Sequence, residues 1–142
     1  MAEERKVRPE RTEWRDLEMS KRHKEWGWDC PAVDIDFLMI EYDKCIPVAI
    51  VEYKHENAKP QMATSASFKA LINLGDRANL PVFACRYAAD FSWWKVIPLN
   101  IKAKDMLSKR TKMTEQEYVE FLYELRGRAC PPAQIIDNAT NV

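Results

Sequence analysis

Two apolar runs constrain this chain more than any other feature. They are Val33-Asp34-Ile35-Asp36-Phe37-Leu38-Met39-Ile40 and Ile46-Pro47-Val48-Ala49-Ile50-Val51-Glu52-Tyr53-Lys54, separated by the polar stretch Tyr42-Asp43-Lys44-Cys45. Runs of β-branched and aromatic residues joined by a polar turn read as a β-hairpin. Apart from their charges both runs are nearly continuous in apolar residues, the pattern of a sheet covered on both faces. Such a sheet needs helices on its two sides. Thr12 to Trp26 predicts the first, with Thr12 as N-cap and Gly27 just past its end; Trp14 and Leu17 are expected to turn inward. Ser65 to Asn79 places Phe68, Leu71, Ile72 and Gly75 at helical spacing, and Pro81 follows. Val82 to Tyr87 and Ser92 to Ile97 read as two further strands. Thr114 with Glu117 three residues on is a capping box, and Tyr118, Phe121, Leu122 and Leu125 form the inner stripe of the helix it opens. The expected order is α-β-β-α-β-β-α, a three-layer α/β fold with a mixed four-stranded sheet.

The chain has 142 residues, one domain's length, with residues 1–11 and 131–142 expected as loose ends. With only Gly27, Gly75 and Gly127 there is no G-x-G-x-x-G and no P-loop, so a glycine-cradled nucleotide site is excluded. No apolar run reaches the length of a membrane span, and the charged start Met1-Ala2-Glu3-Glu4-Arg5-Lys6 has no apolar segment behind it. A cytoplasmic protein is expected. Cys30, Cys45, Cys85 and Cys130 lack the close spacing of a zinc site and read as buried small hydrophobes. Lys plus Arg and Asp plus Glu both number 22, for a formal charge of +0. That balance is a sum of poles. Residues 31–60 hold 3 basic and 6 acidic side chains, residues 61–112 hold 9 basic and 3 acidic.

Chemistry is concentrated in the hairpin. Alternation puts Glu52 and Lys54 on one face, and likewise Asp34 and Asp36. A buried charge needs a partner or a metal. Two neighbouring carboxylates repel unless a cation lies between them. Mg²⁺ suits such a place, taking one or two carboxylates and keeping waters or phosphate oxygens as its other ligands.

Asp36 followed by Glu52-Tyr53-Lys54 on two adjacent strands after a helix resembles the PD-(D/E)XK nuclease superfamily, over roughly Thr12 to Pro98. Arg22-His23 near the end of the first helix and the string Glu52-Tyr53-Lys54-His55 are similar to small phage- and bacterium-type endonucleases, Holliday-junction resolvases among them. The resemblance implies a restriction-endonuclease-like core and a metal-dependent DNA endonuclease of a bacterial or phage-infected cell. Asp36 and Glu52 would bind Mg²⁺ or Mn²⁺, and Lys54 would position the attacking water. This chain departs from the family in having no Pro-Asp pair: Asp34 follows Val33, and Asp36 follows Ile35. Asp36 is the preferred ligand and Asp34 a second one. Glu18 is the candidate acid on the first helix, with Glu13 behind it. The DNA could be duplex, branched or single-stranded, and a homodimer would let the enzyme reach both strands.

Arg22, His23, Lys102, Lys104, Lys109 and Arg110 are candidate phosphate contacts, with Lys112 in the same basic run; a solvated surface is the plainer reading of each. Trp93 and Trp94 point to opposite sides of a strand, so at most one can stack on a base, and core packing is expected for both. A non-catalytic nucleic-acid or protein-binding module on the same fold is the alternative function.

Overall fold

The computed structural model describes residues 17–27, 29–59 and 65–131. The chain divides into two compact units, Met1–Asp34 and Ile35–Val142. In the first, helix α1 runs over Leu17–Trp26 and buries none of its residues. Leu17, expected to turn inward, is 63% exposed. Its helix carries only Leu17, Met19 and Trp26 as large apolar residues, too few for an inner stripe. Thr12, Glu13 and Trp14 lie outside the described residues, as do residues 1–11 and 132–142.

The second unit is an α/β fold around a five-stranded mixed sheet in the order β1-β2-β3-β4-β5. Its strands are β1 (Phe37–Glu41), β2 (Ile46–His55), β3 (Val82–Tyr87), β4 (Trp94–Pro98) and β5 (Thr111–Met113). Its helices are α2 (Ala66–Ala78), α3 (Ile101–Met106) and α4 (Glu115–Leu125). The sheet therefore has one strand more than the expected four, and α3 precedes that strand. Both additions fall in the basic run after Pro98, where six helical and three strand residues are too short to show a period.

The hairpin forms as expected, with β1 antiparallel to β2 and a bulge between Met39 and Ile40 opposite Pro47, a residue with no N–H to give. Its first strand starts later than Val33. At Asp36 a side-chain oxygen, Oδ2, accepts the Tyr53 N–H at 3.0 Å, and the main-chain ladder begins only at Phe37 opposite Val51. Strands β2 and β3 are parallel, while β3–β4 and β4–β5 are antiparallel.

Each face of the sheet carries its own core. Ile50, Val82 and Ala84 pack with Phe68 and Leu71 of α2. On the other side Ala49, Val51, Phe83, Cys85 and Val96 pack with Ala103 of α3 and Tyr118, Phe121 and Leu125 of α4. The cover does not extend to the edge: Phe37, Leu38 and Ile40 of β1 are exposed. Of the cysteines only Cys85 is buried; Cys30 and Cys45 are exposed and Cys130 is half-buried. Those three fall outside the sheet, which corrects the expectation that all four fill the core.

Two local devices set the helices. Thr114 and Glu117 close the capping box of α4. Helix α2 ends not through Pro81 but at Asn79, in the left-handed conformation with φ 58°. Below it, the buried Asn100 side chain donates to Asp76 Oδ1 at 3.1 Å and Leu80 O at 2.9 Å. Its Oδ1 accepts from Val82 N at 3.1 Å and Ala103 N at 2.9 Å. One amide thus joins α2, β3 and α3.

At the far corner Glu41 is 1% exposed and receives Arg126 at 2.8 Å and Arg128 at 2.7 Å. Burial by itself would raise its pKa. The hydrogen bonds from Arg126 and the Lys44 N–H, with the charge of Arg128, outweigh burial and hold it below the usual carboxylate range. Among the described residues no helix is long and apolar enough to cross a membrane.

Gly75 is where α2 touches the sheet. A Cβ there would run into Val82 Cγ2 and come within 3.0 Å of Leu80 O and 3.2 Å of Asn100 Nδ2. Gly75→Ala is expected to destabilise the fold by about 1–3 kcal/mol in urea denaturation, although alanine is the better helix former. An unchanged or raised midpoint would show that α2 does not seat this closely.

Candidate functional site

The site is built at the end of the hairpin where β1 starts and β2 finishes. Because Phe37 stands opposite Val51, Asp36 lies across from Glu52, and the Asp36–Tyr53 hydrogen bond fixes it there. Glu52 points to the α2 side of the sheet, between Ile50 and Lys54 in the alternation and level with Ala84 on β3. Helix α2 covers Ile50 and Val82 on that side, and Lys54 is half-buried. Tyr53 turns to the other face, as alternation predicts, where its hydroxyl meets that of Tyr118; burial pushes its pKa up to about 12.

Glu52 is 8% exposed, and its Oε2 is buried with no hydrogen-bond partner. Its pKa is pushed up from 4.5 to about 7. Burial is the largest cause, followed by the charge of Asp36 and a carboxyl–carboxyl hydrogen bond with it; the charge of Lys54 acts in the opposite direction. Burial and the neighbouring Asp36 thus favour the protonated form of Glu52 over the ionised one. A buried carboxylate oxygen with no partner, beside a second carboxylate, fits a divalent cation. Asp36 and Glu52 are the residues that would hold it. Among the described residues no group of three or more His, Cys, Asp or Glu side chains comes together to bind a metal, so water or substrate oxygens would complete the shell, as Mg²⁺ allows.

The structure brings together Asp36, Glu52 and Lys54. Glu18, Arg22, His23 and Asp34 belong to the first unit; Glu18, Arg22 and His23 are exposed on α1, and His23 and Asp34 line a groove of that unit. Asp34 is not a strand residue, so the expected shared strand face with Asp36 does not exist. His55 is on the Tyr53 side, where its Nδ1 accepts the Asn57 N–H at 3.0 Å and its ring meets Tyr87 edge-on. Lys102 and Lys104 are on α3, which packs on the face opposite Glu52, and Lys109 and Arg110 are exposed ahead of β5.

Sequence reasoning missed Arg86 and Lys95. Arg86 follows Lys54 across the β2–β3 register, and Lys95 follows Arg86 across β3–β4. The Arg86 guanidinium donates to the carbonyls of Glu56 at 2.8 Å, Ala58 at 3.1 Å and His55 at 3.3 Å, which holds the turn leaving β2. A lone basic residue in each of two apolar strands was the available signal.

Compared with protein-family models, curated proteins and solved structures, the chain matches none.

The raised pKa of Glu52 has a consequence for stability. Between pH 4.5 and about 7 the native state keeps a proton that the unfolded chain has released, so the metal-free protein loses stability as pH rises through that window. Glu52→Gln keeps the neutral shape and removes the loss. In EDTA, urea denaturation is expected to find the variant about 1–3 kcal/mol more stable than the parent at pH 8, with the two converging below pH 4.5. A variant no more stable at pH 8 would contradict the buried, repelled carboxylate.

Proposed function

We propose that this protein is a metal-dependent nuclease that hydrolyses DNA phosphodiesters, on the plan of the PD-(D/E)XK superfamily. One observation carries the reading: a buried Glu52 with an unpartnered oxygen stands against Asp36, with Lys54 next on the same face. The fold is compatible with that plan, since an open mixed sheet with helices on both sides presents the acid pair at a strand end.

Each residue then has a role set by its surroundings. Asp36 and Glu52 would hold Mg²⁺ or Mn²⁺, which, when bound, lowers the pKa of a water and offsets charge on the phosphoryl group. Asp36 also accepts the Tyr53 N–H, which holds its carboxylate at the strand end beside Glu52. Lys54, a cation beside two acids, orients the water or donates to the phosphate oxygen as negative charge grows there. Glu52, desolvated, interacts strongly with whatever cation replaces its proton, because the surrounding dielectric is low.

Plasmid, single-stranded and branched DNA incubated with Mg²⁺ or Mn²⁺ test this. Cleavage is expected, and Asp36→Ala and Lys54→Ala should each reduce it by at least about 100-fold with circular dichroism unchanged. Binding of DNA without metal-dependent cleavage of any of the three would favour a non-catalytic binding module instead. Full cleavage by Lys54→Ala would remove the proposed role of that lysine.

A further inference from the structure

Lys54, Arg86, Lys95 and Lys112 stand in one line across four adjacent strands. The registers are Lys54 opposite Arg86, Arg86 opposite Lys95, and Lys95 opposite Lys112. With strands about 4.8 Å apart the row spans about 14 Å. Like charges directly opposite one another destabilise a sheet, and here three such pairs follow in succession. Among the described residues the ion pairs are those of Arg126 and Arg128 with Glu41 and Asp43, and none involves Lys54, Lys95 or Lys112. Arg86 is held by three carbonyls, so its charge is fixed in place and not neutralised. The row lies on the same face as Glu52, two residues further along the strands, or about 7 Å.

Trp93 completes the surface. Its neighbour Trp94 is on the other face, stacked on Tyr118 at 4.9 Å and 8°. Trp93 does not join that cluster and is half-buried, contrary to the expectation of core packing for both. Two lysines of the row reach over its ring, Lys95 Nζ at 5.2 Å and Lys112 Nζ at 5.8 Å from the centroid. Lysine stems are long and flexible. Swinging outward gives up a weak cation–π contact and uncovers an indole between two ammonium groups.

We infer that this row and Trp93 seat an unpaired polynucleotide strand, phosphates along the lysines and one base on the indole. The choice of a polynucleotide rests on the phosphodiester reading of the Asp36–Glu52 site. The pairing of a flat ring with cations on either side matches the alternation of base and phosphate. An intact duplex does not fit, because its base faces are already covered by their neighbours.

Fluorescence anisotropy in EDTA tests the seat without cleavage, using labelled oligothymidylate of about 20 nucleotides, an abasic strand of equal length and a duplex. Oligothymidylate is expected to bind more tightly than the other two. Trp93→Ala should weaken it about 10-fold and leave abasic binding unchanged, with Trp93→Phe restoring most of the loss. Lys95→Gln with Lys112→Gln should lower the slope of log affinity against log salt by about 1.4. The inference is overturned if Trp93→Ala binds oligothymidylate as the parent does, or if duplex binds as tightly as the single strand. Those results leave metal-dependent cleavage standing, whereas a Trp93-dependent strand preference in a protein that cuts nothing removes the nuclease reading and keeps the seat.

Discussion

Parallel strands cannot be joined by a tight turn, so pairing β2 with β3 commits the chain between them to a crossover. The crossover holds α2, whose Phe68 and Leu71 cover Ile50 and Val82 near the start of the parallel pair. The carboxyl ends of β2 and β3 are left beyond that apolar cover, the place where open α/β sheets bind their ligands. The antiparallel neighbours bring their beginnings to the same edge. Asp36 thus arrives from the start of β1, Glu52 and Lys54 from the end of β2, Arg86 from the end of β3, and Trp93 and Lys95 from the start of β4. Every residue of the candidate site follows from one parallel pairing between antiparallel ones.

Two buried glutamates in this domain have opposite fates, and the contrast separates structure from chemistry. Glu41 is met by two guanidinium groups and a backbone N–H, and its pKa is held down. Nothing is left for it to bind. Glu52 is met by a second carboxylate, keeps an oxygen without a partner and has its pKa pushed up to about 7. A fold selected for stability alone would gain by replacing Glu52 with a neutral side chain. On the proposed reading, a cation held by Asp36 and Glu52 would offset the cost of ionising Glu52 beside a second carboxylate.

Much of this was legible in the sequence because it depended on short-range rules. The cap Thr114, the helix after Ser65, the hairpin, the third strand and the shared face of Glu52 and Lys54 all follow from residues within a few positions of one another. The start of β1 did not, because Val33 and Ile35 suit a strand by composition, whereas the Asp36 side chain takes the Tyr53 N–H and the ladder begins only at Phe37. Nor did β5, whose three residues are defined only by their register with β4. The basic row was invisible for the same reason. Lys54, Arg86, Lys95 and Lys112 are far apart in the chain, and only pairing across four strands aligns them.

That alignment gives the neutral composition a spatial meaning. The acidic segment, residues 31–60, supplies β1 and β2, and the basic segment, residues 61–112, supplies β3, β4 and most of β5. Sheet order therefore turns a difference along the sequence into a gradient across one edge, acids at the β1 side and lysines toward β5. At about 7 Å the nearest charges of the two poles lie within one Debye length, about 8 Å, so each pole acts on what is seated at the other. On the proposed reading a divalent cation would be drawn to one and a polyanion to the other, with the row about 7 Å from Glu52 along the strands. With all charge of one sign the surface would attract only one of the two. On the proposed reading, a chain with net charge +0 carries both kinds of pole without a long-range field that repels either ligand.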